Sequence, residues 1–136
     1  MAGEGQMARI LIIEDDENIR EMFSELLARA GYEVVPMANG KDAAKRRAEV
    51  AAELVITDIL MPERDGLEAI GELRRSAPDV KIIAISGGSK IGPGLYLDAA
   101  GALGAHRAFA CFLCHCLIFV YLFMYLFTYF CSMLHI

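Results

Sequence analysis

No Asp, Glu, Lys or Arg follows Arg107: all 31 such residues of this 136-residue chain stand at or before it. Of the 29 residues from Ala108 to Ile136, only His115, Thr128, Ser132 and His135 are not apolar. A run with no charge has no polar face, so it excludes an amphipathic surface helix there. The chain also lacks an excess of basic residues. Its net charge of -5 and pI near 5.1 leave no electrostatic footprint for nucleic acid, and no nucleic-acid partner is expected. No basic region followed by an apolar core opens the chain, so no secretory signal is expected and the first 107 residues read as cytoplasmic. Thiols stay reduced there, and the four cysteines, all within the carboxyl-terminal run, are not expected to pair.

What is present is alternation. The length suits one domain, with residues 1–7 expected to be disordered, 8–110 to form the domain and 111–136 to be an atypical hydrophobic segment. The stretch Leu54-Val55-Ile56-Thr57-Asp58-Ile59-Leu60-Met61-Pro62 organises the rest, because an apolar run meets a lone carboxylate and then a proline. A short, β-branched run bounded by a breaker reads as a central strand of a parallel sheet, buried on both faces. Asp58 then lies at the carboxyl edge of that sheet, where open α/β sheets bind ligands. Ala8 to Ile13 is a second such run, and it ends in Glu14, Asp15 and Asp16.

From Glu17 the spacing of Ile19, Met22, Phe23, Leu26, Leu27 and Ala30 is helical, with Asp16 placed to cap the start and Gly31 to stop it. Glu33 to Met37 reads as a strand, Asn39-Gly40 as a turn and Lys41 to Ala52 as a helix. After the loop Glu63-Arg64-Asp65-Gly66, a helix turns Leu67, Ile70 and Leu73 inward and ends with Arg74 and Arg75, where cations suit its dipole. Lys81 to Ile85 is a fourth strand and Gly87 to Gly94 a loop. Tyr96, Ala99, Ala100 and Leu103 mark a weaker helix ended by Gly104, and His106 to Ala110 is a fifth strand. Strand and helix alternate throughout, which predicts an α/β fold with a parallel sheet and helices on both faces.

If the first and third strands are neighbours, Glu14, Asp15 and Asp58 converge. Two like charges about 4 Å apart repel by roughly 4 kcal/mol at an effective dielectric near 20. A divalent cation removes that cost, and an all-oxygen, partly hydrated site suits magnesium. Magnesium beside a carboxylate also neutralises an incoming phosphoryl group, so an aspartyl phosphate becomes chemically accessible. Each acid alone would more often be a helix cap facing water; the joint arrangement reverses that weighting.

Ile12-Ile13-Glu14-Asp15-Asp16, the strand ending in Thr57-Asp58, the Met61-Pro62 and Asp65-Gly66 steps, and Ile85-Ser86 together resemble the receiver domain of bacterial two-component response regulators. The likeness runs from Ala8 to about Ala110. It implies a flavodoxin-like, doubly wound sheet of five strands in the order 2-1-3-4-5. It implies that Asp58 is the phosphoacceptor, supplied by a sensor histidine kinase or phosphotransfer protein, and that an unknown downstream protein reads the switch. Asp15, Asp58 and the backbone carbonyl of Leu60 would ligate Mg2+, Glu14 would act through water, and Ser86 would be the switch hydroxyl. Pro62, Asp65 and Gly66 would shape the loop beside the site. Such a module is a phosphoacceptor that assists its own phosphotransfer and dephosphorylation, more than an enzyme. A magnesium-dependent phosphohydrolase with Asp58 as nucleophile is the rival reading. It is disfavoured because Leu60 stands where a second acid would, and because no cap domain encloses a substrate.

Three positions depart from the family pattern. A Lys-Pro pair is expected after the fifth strand, at 111 and 112, where this chain has Cys111 and Phe112; the aromatic expected three residues before that lysine is Ala108. The missing ammonium bears on the response more than on phosphorylation itself. The amphipathic fifth helix of the family is replaced by the apolar run. That run is long enough to span a bilayer of roughly 30 Å, so membrane association through residues 108–136 is one reading. An out-of-frame end, leaving a receiver remnant, and a buried or partner-bound helix are the others. Cys111-Phe112-Leu113-Cys114-His115 matches a haem-attachment pattern and Cys116 adds a zinc-type ligand, but such matches are cheap where cysteine is this dense.

Overall fold

A computed structural model describes residues 7–59, 61, 66–87 and 93–111. Five strands, β1 (Arg9–Ile13), β2 (Glu33–Met37), β3 (Leu54–Asp58), β4 (Lys81–Gly87) and β5 (Arg107–Cys111), alternate with four helices, α1 (Glu17–Arg29), α2 (Ala43–Val50), α3 (Gly66–Ser76) and α4 (Pro93–Leu103). All strand pairs are parallel, in the order β2-β1-β3-β4-β5. The expected doubly wound sheet is therefore the observed one.

Its core follows from the two-residue period of a strand. Ile10, Ile12, Leu54, Ile56, Ile83 and Ile85 face α1, which buries Phe23 and Leu27 against them. Leu11, Ile13, Val55, Ile82 and Ala84 face the other way, onto Ala43 of α2, Ala69, Ile70 and Leu73 of α3, and Ala100 of α4. Because both faces are covered, the central strands are apolar at nearly every position and carry polar groups only where they end.

The caps set the helix bounds. Asp16 caps α1 by accepting from the Ile19 N–H at 3.1 Å. At the other end Gly31 adopts φ +96, a left-handed turn that a side chain would strain, and the Tyr32 N–H returns to the Leu27 carbonyl. Helix α2 is shorter than the expected Lys41 to Ala52. Asn39 Oδ1 takes the Lys41 N–H at 2.9 Å, and Asp42 and Ala51 both have positive φ, so the chain leaves helical geometry at either end.

Strand β4 runs two residues past Ile85 because β5 continues beside it, pairing Ser86 with Ala110 and Gly87 with Cys111. The fifth strand accordingly starts at Arg107 and ends at Cys111, one residue later than expected. Helix α4 starts at Pro93, inside what reads as loop, since a proline suits the first helical position. Among the α4 residues whose side chains are described, Ala100 is buried in the core, whereas Leu103 is 42% exposed; the side chain of Tyr96 lies outside the described residues. Residues 112–136, with Phe112, Cys114, His115 and Cys116, lie outside the described residues, as do residues 1–6. Among the described residues no helix is long and apolar enough to cross a membrane.

Candidate functional site

Strands β1 and β3 are adjacent in the sheet, with Ile13 level with Thr57. The residues at the carboxyl ends of the two strands therefore emerge side by side. Glu14, Asp15 and Asp58 each offer one carboxylate oxygen, and the three oxygens lie within 4.8 Å of one another. Glu14 is buried, at 7% exposure, Asp58 is half-buried and Asp15 faces solvent. The cluster thus has a dry wall and an open mouth.

Burial is the largest influence on Glu14, and the neighbouring charge of Asp58 is the next; with a hydrogen bond that the protonated Glu14 carboxyl donates to Asp15 they push its carboxyl up to about 8, although the Asp16 N–H, 3.2 Å from Glu14 Oε1, opposes them. Between three crowded acids, the one farthest from water keeps its proton at neutral pH. Three hard oxygen donors around a half-open pocket fit a small, partly hydrated divalent cation. Among the described residues the cluster offers no sulfur or imidazole donor.

The backbone under these acids is tightly held. Glu14 donates its N–H to the Met37 carbonyl at 3.0 Å, and Ile59 donates to Ile85 at 2.9 Å. Thr57, fully buried, donates its hydroxyl to the Asp58 carbonyl at 2.9 Å. Gly66 opens α3 by donating to the Ile59 carbonyl at 2.9 Å. A Cβ on Gly66 would lie 1.9 Å from the Asp58 carbonyl oxygen, so only glycine lets the returning chain pass this close. The sequence marks Gly66 as a loop residue but not as the residue that packs on Asp58.

Ser86, at the carboxyl edge, is one residue beyond Ile85, the β4 partner of Asp58; its side chain lies outside the described residues. Cys111, where the lysine is expected, closes β5 opposite Gly87, and its side chain lies outside them as well. Leu60, Pro62 and Asp65 are outside the described residues altogether. Arg20 is a member that reading the sequence misses. Its Nη1 donates to the carbonyl of Glu14 at 2.9 Å and meets that of Asp15 at 3.4 Å. A cation one turn into a helix, on a half-exposed face, carries no sequence signal of such a role.

Fold and site together define a doubly wound α/β protein with an acidic pocket at the end of its central strand. Residues 10–105 match the family model described as response regulator receiver domain, and the chain belongs to that family. It is 42% identical over 81 residues to the response regulator receiver protein CpdR of Brucella abortus, covering 60% of this chain and 68% of that protein. It is 39% identical over 79 residues to the chemotaxis protein CheY of Thermotoga maritima, covering 57% and 66%. Among solved structures, the response regulator TrrA of Thermotoga maritima in complex with Mg(2+)-BeF superposes with a TM-score of 0.65 at 37% identity, over 77% of this chain and 87% of that one. The general function of the family is phosphorylation-based switching in two-component systems, and receiver domains are generally phosphoacceptors that work with sensor histidine kinases or phosphotransfer proteins.

Proposed function

We propose that this chain accepts a phosphoryl group on Asp58 from a phosphohistidine of a sensor kinase or phosphotransfer protein, with magnesium held by Asp15, Asp58 and the Leu60 carbonyl and, through water, by Glu14. The observation that carries this reading is the convergence of three carboxylates on the last residue of the central strand. Similarity to a relative solved with Mg(2+)-BeF supports the choice of cation, and a 37% identical segment of the sensor kinase CckA of Brucella abortus supports the setting.

An Asp58 carboxylate oxygen forms the new O–P bond as the P–N bond to the donor histidine breaks, and the electron pair of that bond stays on the imidazole nitrogen. Bound magnesium supplies charge neutralisation for the approaching phosphoryl oxygens. The chain's own contribution is position. Thr57 and Gly66 fix the Asp58 backbone, and Glu14 takes up a proton instead of adding another charge when no cation is present. Ser86 is the hydroxyl that turns towards the new phosphoryl group. Cys111 stands where the resemblance implies a lysine that would pair with that group.

Incubation with a small acyl phosphate and magnesium should give a base-labile adduct that Asp58→Asn abolishes. Persistence of the adduct in that variant overturns the assignment. Titration with magnesium chloride should show weaker binding to Asp15→Asn, by about tenfold or more, because a direct ligand is lost. Equal affinity would remove Asp15 from the site.

A further inference from the structure

We propose that Arg20 is a positioning residue that sets the Asp15 carboxylate for cation binding, by holding both peptide groups that flank Asp15. The inference rests on the reading of Asp15 as a metal ligand and adds a residue to it. The two carbonyls that meet Arg20 Nη1 belong to successive peptide planes, those joining Glu14 to Asp15 and Asp15 to Asp16. Two planar peptides leave only φ and ψ of the residue between them free. A single nitrogen that donates to both carbonyls therefore restrains φ and ψ of Asp15, and with them the direction of its Cα–Cβ bond.

Arg20 is itself fixed. Its N–H bonds to the Asp16 carbonyl at 2.9 Å in the first turn of α1, its own carbonyl accepts from the Ser24 hydroxyl, and Asp16 caps the helix. The loop from β1 to α1 is thus pinned at Glu14 by the Met37 carbonyl, at Asp16 by the helix cap, and between them by the guanidinium. The arrangement gives Arg20 a task distinct from its charge. A cation near the pocket would by Coulomb repulsion weaken magnesium binding, whereas a clamp strengthens it, so the two roles predict opposite signs on removal.

The test is titration of the full chain with magnesium chloride, together with the rate of phosphorylation by a small acyl phosphate as magnesium is raised. Arg20→Met keeps the aliphatic stem and loses the donors. Its magnesium affinity should fall about tenfold, as expected for a group that orients a ligand, while the rate at saturating magnesium returns towards wild type. Arg20→Lys, which restores one nitrogen, should recover part of the affinity and keeps the test open if Arg20→Met does not fold. Arg29→Met, which removes a cation from the same helix away from the pocket, should leave magnesium binding unchanged. Unchanged or tighter magnesium binding in both Arg20 variants overturns the inference. A fall in melting temperature with no shift in the magnesium concentration for half-maximal rate also overturns it, because that is a purely structural role. If wild type itself neither binds magnesium nor takes up phosphoryl, the failure lies in the site's assignment and not in Arg20.

Discussion

Glu14 is the residue in which the conflict of the site is concentrated. Burial and the Asp58 charge raise its carboxyl from an ordinary 4.5 to about 8. Between those values the folded protein binds a proton that the unfolded chain has lost, so cation-free stability falls as pH rises through that window. Nothing in a linear reading separates Glu14 from Asp15, since both directly follow β1; their difference comes from which of the two faces the interior. Gly66 shows the same limit. The Asp65-Gly66 step reads as a turn, yet the constraint on it is the contact with the Asp58 carbonyl, which only the fold creates. Replacing Gly66 with Ala should destabilise the protein by about 3 kcal/mol or more, because a backbone atom cannot yield to the added carbon. A urea midpoint within error of wild type would show that the return of the chain over Asp58 is looser than this.

At the scale of elements, strand periodicity made the sheet legible: runs such as Ile10 to Ile13 and Leu54 to Ile56 need cover on both faces, and only a doubly wound sheet gives it. The element ends were less legible, because they depend on backbone partners in other elements. Arg74 illustrates why. Its place at the end of α3 suggests a service to the helix dipole, but it reaches the carbonyls of Pro78, Val80 and Gly104 and approaches His106 Nδ1 at 3.3 Å, tying α3 to the starts of β4 and β5. His106 Nδ1 also accepts the Ile82 N–H at 3.3 Å, so this nitrogen must be unprotonated. Burial first, then the charges of Arg74, Lys81 and Arg107, lower the pKa of His106. A histidine whose folded pKa is depressed contributes stability that is complete above its unfolded value of about 6.5 and is lost as pH falls through it. His106→Asn keeps an acceptor for the Ile82 N–H but does not titrate. Urea midpoints at about pH 7.5 and about pH 5 should therefore fall further for wild type than for this variant; equal falls would remove His106 from the tie.

For the whole molecule, the composition of the chain decides its behaviour in water. A fifth amphipathic helix would bury four or five large side chains at about 1.5 to 3 kcal/mol each, or roughly 6 to 15 kcal/mol in all. That is comparable with the entire stability of a domain, about 5 to 15 kcal/mol. Phe112, Leu113, Cys116, Leu117 and Val120 have the spacing to take that place, but the apolar residues beyond Tyr121 exceed what a domain of this size can cover. The full chain should aggregate or partition into lipid vesicles, and a version ending near Val120 should be more soluble. A monodisperse full-length monomer without detergent would contradict this. The central claim, that the fold exists to present Asp58 for phosphorylation, is tested most directly by locating the modified residue. After treatment with a small acyl phosphate and magnesium, hydride trapping of the acyl phosphate followed by peptide sequencing should place the label on Asp58 alone. Label on Asp15 or on no residue would contradict the account.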